Sequence, residues 1–397
     1  MESISADRAA RELLEQCLAG RPWREELLDP LVDEAGNAAL FRVVVERLGD
    51  LFEPRLCDVY AELFSEVIAR CIPGMHAEHM AARYRRVRKP RKLDRDPETV
   101  RNVFVLSRVT LGADVAITSV LLDAAKQRFP KATIYFAGPQ KSWELFAADG
   151  RLRHLPISYG RTATLGSRLD IWPELRAQVS KPQSIVIDPD SRLTQLGLLP
   201  ICSEEDYYFF ESRSYGGDGA ETLCQLTLRW CASTFGETRA RPFIETGVDA
   251  REYATTVSFG VGENPEKRIP GDFERDLLRT LPRPVLIDRG AGGEEAQRVE
   301  LAVAGAGEGI SMWDGSFAGF AAHVQKSGLY VGYDSAGGHV AAACGVPLVS
   351  IFAGFASERM FERWRPTGDG PIEIVRADRT EDILSDALHA VTRITAR

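Results

Sequence analysis

The sequence has no apolar run approaching the roughly 18 residues that a membrane helix needs; its longest apolar stretches are strand-sized. Cysteine is sparse, seven in 397 residues. Cys17, Cys57, Cys71, Cys202, Cys224, Cys231 and Cys344 are an odd number, widely spread and without a C-x-x-C pair. That pattern argues against a disulfide framework or a zinc site and leaves the thiols as small hydrophobes. A basic excess is also missing: 49 Lys and Arg against 57 Asp and Glu leave a net charge of -8, which argues against general affinity for nucleic acid. The opening MESISADRAARELLEQ has no basic segment followed by an apolar one, so no secretory leader and a cytoplasmic location are expected. No internal repeat or low-complexity tract stands out.

What is present is globular: 44% hydrophobic and 27% charged residues, on a chain long enough for two or three domains. From Ala6 to Tyr84 apolar residues recur at three and four, as in Leu13-Leu14-Cys17-Leu18 and Leu63-Phe64-Val67-Ile68. That spacing predicts helices with one buried face, a helical accessory region that packs on something else. The basic stretch Arg83–Arg95 follows. It reads either as a solvated linker or as a site for an anionic partner.

From Asn102 the texture changes to strands alternating with helices. NVFVLS (102–107), ATIYFAG (132–138), SIVID (184–188) and YYFF (207–210) form one series. TTVSFG from 255, PVLID (284–288), LYVGYD (329–334) and PLVSIF (347–352) form another. Such alternation predicts parallel sheets built from right-handed crossovers. The expected fold class is therefore α/β: two Rossmann-like domains facing across a cleft, at 96–240 and 241–397, behind the helical region and linker at 1–95.

Within the second series, Asp334-Ser335-Ala336-Gly337-Gly338-His339 links an apolar strand to a helix of small residues. Free amides of the first turn, the positive helix end and small residues together suit a phosphate group. The plain alternative is a capped strand-to-helix junction, and His339 alone is more often a structural hydrogen-bonding residue. Gly260, Lys267 and Arg268 lie in a loop after another strand, either as solvated charges or as cations beside a bound diphosphate. Glu294 and Glu295 follow the Gly-rich turn Arg289–Gly293, where acidic side chains suit ribose hydroxyls. In the first series Asp114 opens a helix, as a cap or as a base for an acceptor hydroxyl. Asp188-Pro189-Asp190 matches D-x-D, as does Asp94-Arg95-Asp96, and His76 and His79 share a helix face. None of these has a third ligand in sight, and no metal is predicted.

Taken in order, these segments resemble the bacterial ADP-heptose heptosyltransferases, the family-9 glycosyltransferases of GT-B fold. DSAGGHVAAACGVPL is similar to the family's D-T-G-x-x-H-L-A-A-A-x-G-x-P-T signature. D-V-A-I-T and F-P-K-A-T-I, then DPDSRLTQLGL, then Lys267-Arg268-Ile269-Pro270, match weaker family segments in the family's order. The resemblance implies a cytoplasmic inverting transferase without metal or other cofactor, whose donor is an ADP-sugar or another nucleotide-diphosphate sugar. It implies that Asp334, Ser335, Ala336, Gly337 and His339 meet the diphosphate and that Lys267 neutralises the departing nucleotide. Glu294 or Glu295 would hold the ribose, and Asp114 would act as general base. Ala113 before Asp114, Ala336 in place of glycine and Ile269 in place of tryptophan depart from the pattern. The acceptor is left open between a protein, a glycan and a small molecule. The N-terminal helices, without counterpart in the short family members, offer a surface for self-association. An epimerase or hydrolase, and a non-catalytic binding protein on the same fold, are the competing classes.

Overall fold

A computed structural model describes residues 5–160, 163–262 and 264–396. Strands β1 (Asn102–Leu106), β2 (Thr133–Gly138), β3 (Leu152–Pro156), β4 (Ser184–Asp188) and β5 (Tyr207–Phe209) form one sheet in the order β3-β2-β1-β4-β5. Strands β6 (Thr255–Ser258), β7 (Val285–Asp288), β8 (Ile310–Trp313), β9 (Tyr330–Tyr333), β10 (Leu348–Phe352) and β11 (Ile372–Arg376) form the second, in the order β11-β10-β9-β6-β7-β8. Every pairing is parallel. Strand order reverses between β1 and β4 in one sheet and between β6 and β9 in the other. The crevice at the carboxyl ends of such strands is where open α/β sheets take ligands.

Alternate residues of β1 go to opposite faces, as the two-residue period requires. Phe104 and Leu106 share a core with Leu13, Tyr60, Phe64 and Val67 of the helical region. Residues 5–88 therefore cover one face of the first sheet together with the segment 165–201, whose Leu165, Leu175 and Val179 join the same core. Val103 and Val105 face the other way, into a core with the helices Ser119–Arg128 and Leu223–Phe235. That core continues into the second half through Phe320, Tyr330 and Val340. The outer face of the second sheet has its own core, with Val257, Val331 and Ile351 packed against Leu277 and Val391.

The basic stretch is packed in part, while Arg85, Arg86, Lys89 and Lys92 remain exposed. Arg83 donates to Gly197 O at 2.8 Å and lies 4.6 Å from the Tyr207 ring centroid. Arg86 grips Glu204 with two bonds, and Arg95 meets Asp206 at 2.5 Å. These guanidinium groups seam the helical region to the β5 edge. Residues 237–254 join the two halves without regular structure and are pinned by paired bonds between Glu245 and Leu145–Ala148. Among the described residues no helix is long and apolar enough to cross a membrane, and all seven cysteines are free thiols.

Candidate functional site

At the end of β9 the chain turns through Asp334 and Ser335 into the helix Ala336–Ala343. Among the described residues the amides of Ser335, Ala336 and Gly337 have no backbone acceptor; the first bond of the turn runs from Gly338 N–H to Ser335 O at 3.2 Å. Small residues matter here for packing as well as approach. A Cβ on Gly337 would overlap the Tyr330 hydroxyl. Lys267 comes from the loop after β6 and donates to Asp334 Oδ2 at 2.6 Å and Asp334 O at 3.0 Å. The structure thus places the cation, the carboxylate and three free amides together at the β6/β9 reversal. His339, one turn along, is buried. Desolvation lowers its pKa, Asp334 opposing and Lys267 adding to the effect, so the imidazole is neutral at pH 7.

This turn faces the other half of the molecule. A Cβ on Gly112 would lie 3.3 Å from His339 Cδ2 and 3.4 Å from Ala336 Cα. The two strand-order reversals therefore meet across one cleft, with the helix beginning at Ala336 against the turn 111–118.

Asp114 does not reach that cleft. It is fully buried, and its oxygens accept from Ser107 Oγ at 2.7 Å, Arg108 N at 2.7 Å and Thr118 Oγ1 at 2.8 Å. Burial raises its carboxyl above the ordinary range while these donors oppose the rise. The expected base is thus the fastener of the loop after β1. That loop needs one, because Val109 holds φ 70°, a left-handed conformation costly for a β-branched residue. The fastened loop aims Arg108 at Pro189 O, Ser212 Oγ and Asp190.

The D-x-D segment is structural as well. Asp188 accepts from Ser191 N, Thr194 Oγ1 and Tyr207 OH, and burial pushes its pKa up to about 6. Asp190 is bound twice by Arg213. His76 and His79 stack edge-on at 5.2 Å, and among the described residues no group of three His, Cys, Asp or Glu could hold a metal ion.

Beyond the β6 and β7 ends, Glu295 folds back over the Gly-rich turn and accepts from Ala291 N at 3.1 Å. A Cβ on Gly260 would come 3.0 Å from Glu295 Oε1. Glu295 therefore lies between the two loops at the reversal. Glu294 is instead largely exposed and meets Arg268 at 3.4 Å.

Two groups beside the β9 turn are not marked in the sequence. Phe52 comes from the helical region, and Trp364 follows β10. Trp364 touches His339 at 5.8 Å and Phe52 at 6.2 Å between ring centroids. No local pattern marks either of them, because their roles come from packing partners hundreds of residues away.

Searches by sequence return nothing: no family model and no curated protein matches the chain. By structure the chain is similar to the E. coli heptosyltransferase WaaC with ADP, at TM-score 0.55 and 14% identity, over 74% of this chain and 99% of that one. WaaC with ADP-2-deoxy-2-fluoro heptose gives TM-score 0.55 at 15% identity, over 74% and 99%. A glycosyl transferase family 9 structure from Veillonella parvula gives 0.52 at 15% identity, over 75% and 96%. The likeness is one of fold: two parallel sheets with helices, in the GT-B arrangement of the glycosyltransferases.

Proposed function

We propose that this chain is an inverting glycosyltransferase that takes a sugar, a heptose, from an ADP-sugar and passes it to an acceptor hydroxyl. The observation that carries the reading is the Lys267–Asp334 ion pair at 2.6 Å beside three free amides, at a strand-order reversal facing the other sheet. In such a reaction the bond from the anomeric carbon to the β-phosphate oxygen breaks, and its electron pair leaves with ADP. The acceptor oxygen bonds the anomeric carbon from the opposite side as its O–H bond breaks, and the proton passes to solvent water or to the departing ADP. In this reading Lys267 and the amides of Ser335, Ala336 and Gly337 stabilise the negative charge that grows on the diphosphate. Charge stabilisation of this kind needs no reorganisation and no divalent ion.

In this scheme Asp334 holds the Lys267 ammonium in place, and neutral His339 packs the turn against Trp364. Glu295 takes the ribose, with Gly260 leaving it room, while Glu294 and Arg268 form the outer rim. Asp114 is left out as base, because its oxygens are occupied and sealed from solvent. The acceptor is a protein, a glycan or a small molecule approaching from the β1/β4 side.

Calorimetric titration of the full chain with ADP, UDP, GDP and their sugar conjugates tests the donor. ADP or an ADP-sugar is expected to bind tightest, and Asp334→Ala to weaken it. A panel without any ADP-type binding removes this reading.

A further inference from the structure

Between β10 and β11 the chain runs behind the phosphate-type turn and touches the first half. Gly354 makes the first contact. Its carbonyl accepts from Asn264 Nδ2 at 2.9 Å, and a Cβ there would overlap the Glu266 backbone. The loop that carries Lys267 therefore rests directly on this segment. Further on, Trp364 meets His339 at 5.8 Å between ring centroids. Pro366 Cγ lies 3.9 Å from where a Cβ on Gly338 would stand, and a Cβ on Gly368 would overlap the Ala342 carbonyl. Residues 354–368 thus back both pieces of the candidate donor site, the Lys267 loop and the helix that begins at Ala336.

This segment is held from the first half. Its helix Glu358–Trp364 sets Arg359 and Arg363 four residues apart on one face, and both reach the loop 217–221 after β5. Arg363 donates through Nη1 to Gly219 O at 2.8 Å and Glu221 O at 2.6 Å, and through Nη2 to Gly217 O at 2.8 Å. Arg365 adds a bond to Ala220 O at 3.2 Å, and Thr222 Oγ1 lies 2.6 Å from Thr367 Oγ1. Arg359 joins all three parts of the chain, donating to Gly217 O at 3.2 Å, to Asp218 and to Phe52 O at 3.0 Å. Gly216 and Gly217, at φ 91° and 59°, curl the loop at no steric cost so that its carbonyls face the guanidinium groups.

Arg363 is the member of this seam that packing alone does not explain. It is 1% exposed, and among the described residues its partners are neutral carbonyls, with no hydrogen bond or ion pair to a carboxylate. Burying a guanidinium this way costs solvation that an apolar side chain of the same size does not lose. What the guanidinium supplies is direction. A rigid planar fork bound to three fixed carbonyls sets the orientation of the helix that carries it. The next residue is Trp364, whose ring meets Phe52 at 6.2 Å on one side and His339 on the other. The orientation that Arg363 imposes therefore reaches the donor turn through its neighbour in the chain.

We infer that Arg363 is a positioning residue of the donor site: by gripping the carbonyls of 217–221 it holds Trp364 against His339 and so fixes the helix that begins at Ala336. The inference rests on the donor reading above. It adds that the first half of the chain, through a loop remote from the diphosphate, sets the donor affinity of the second half.

The test is calorimetric titration of ADP into the full chain and into its Arg363→Met, Arg363→Lys, Trp364→Ala and Arg363→Met/Trp364→Ala variants, with near-ultraviolet circular dichroism as the fold check. Both Arg363 variants are expected to fold, since Met fills similar volume without a buried charge and Lys keeps the charge. Arg363→Met should weaken ADP roughly tenfold and Arg363→Lys only about threefold, because an ammonium keeps three donors but loses the fork. Trp364→Ala should also cost about tenfold, and the double variant no more than Trp364→Ala alone, as expected of residues acting through one contact. A residue that only stabilises the fold shifts the melting temperature and produces neither the partial rescue by Lys nor the missing additivity. Parent-like ADP affinity in every Arg363 variant that folds, or losses that add in full in the double variant, overturns the role of Arg363 and leaves the donor reading standing. Absence of ADP binding to the parent chain overturns the donor reading, and this inference with it.

Discussion

Gly112 of the first domain lies so close to Ala336 of the second that a Cβ at Gly112 would sit 3.4 Å from the Ala336 Cα. The contact joins the two strand-order reversals and sets the width of the cleft at the phosphate-type turn. A methyl at this distance asks its neighbours to give by tenths of an ångström, whereas a branched side chain must push the domains apart. Gly112→Ala is expected to cost about threefold in ADP affinity and Gly112→Val at least about tenfold, on the scale of roughly 1.4 kcal/mol per tenfold. Calorimetry checks both; equal affinities for all three proteins would show that the contact does not set the site.

Lys267 and Asp334 have side chains 17% and 10% exposed, so their pairing is worth more than a surface bridge. Removing the cation leaves a nearly buried carboxylate at the β9 turn without its counter-charge. Lys267→Ala is expected to destabilise the fold by about 1–3 kcal/mol and to weaken ADP by at least about tenfold. Lys267→Ala with Asp334→Ala should recover much of the stability but not the affinity. Denaturant curves and titrations on the two variants separate these effects.

Asp114 is expected to matter for folding first. Asp114→Ala strands the buried Ser107 and Thr118 hydroxyls and the Arg108 amide, and frees a loop strained at Val109. A loss of about 2–4 kcal/mol in denaturant unfolding is expected. A variant as stable as the parent would return Asp114 to the list of candidate bases.

The pH dependence of stability follows from Asp188. Its pKa in the fold is about 6 against an ordinary 3.8, so between those values the folded chain holds more of the proton than the unfolded one. The contribution is fully present below about pH 4 and is lost as pH rises through 6, some 2–3 kcal/mol at about 1.4 kcal/mol per unit. Asp188→Asn should flatten the stability curve over that window. An unchanged slope in the variant would assign the titration elsewhere.

Deleting residues 1–95 strips the N-terminal helices from the core that holds Phe104, Leu106, Val186 and Phe209 and leaves only the 165–201 segment on that face of the first sheet. The shortened chain is expected to be insoluble or molten, seen as lost near-ultraviolet circular dichroism. A soluble, ADP-binding truncation would make the helical region an independent module.

Much of the architecture is carried by local pattern. The eight strands legible as apolar runs are mostly central in their sheets, where burial on both faces demands such runs. The three not foreseen, β3, β8 and β11, are all sheet edges. LRHLP, ISMW and IEIVR are half-exposed there and carry polar residues that mask the pattern. The β9 turn was readable for a similar reason: a phosphate-type turn is built from consecutive residues, so its small side chains and the helix after it lie together in sequence.

Sequence alone determined two α/β halves, a helical region with a buried face, and the strand-turn-helix around Asp334, because each depends on neighbours within about a turn or a strand. Tertiary structure decided the rest. It sealed Asp114 inside a loop, spent part of the basic stretch on a seam, and set Glu295 rather than Glu294 at the inner position. Those outcomes depend on which faces meet across hundreds of residues, and a side chain's exposure and charge environment are set by that meeting rather than by its neighbours in the chain.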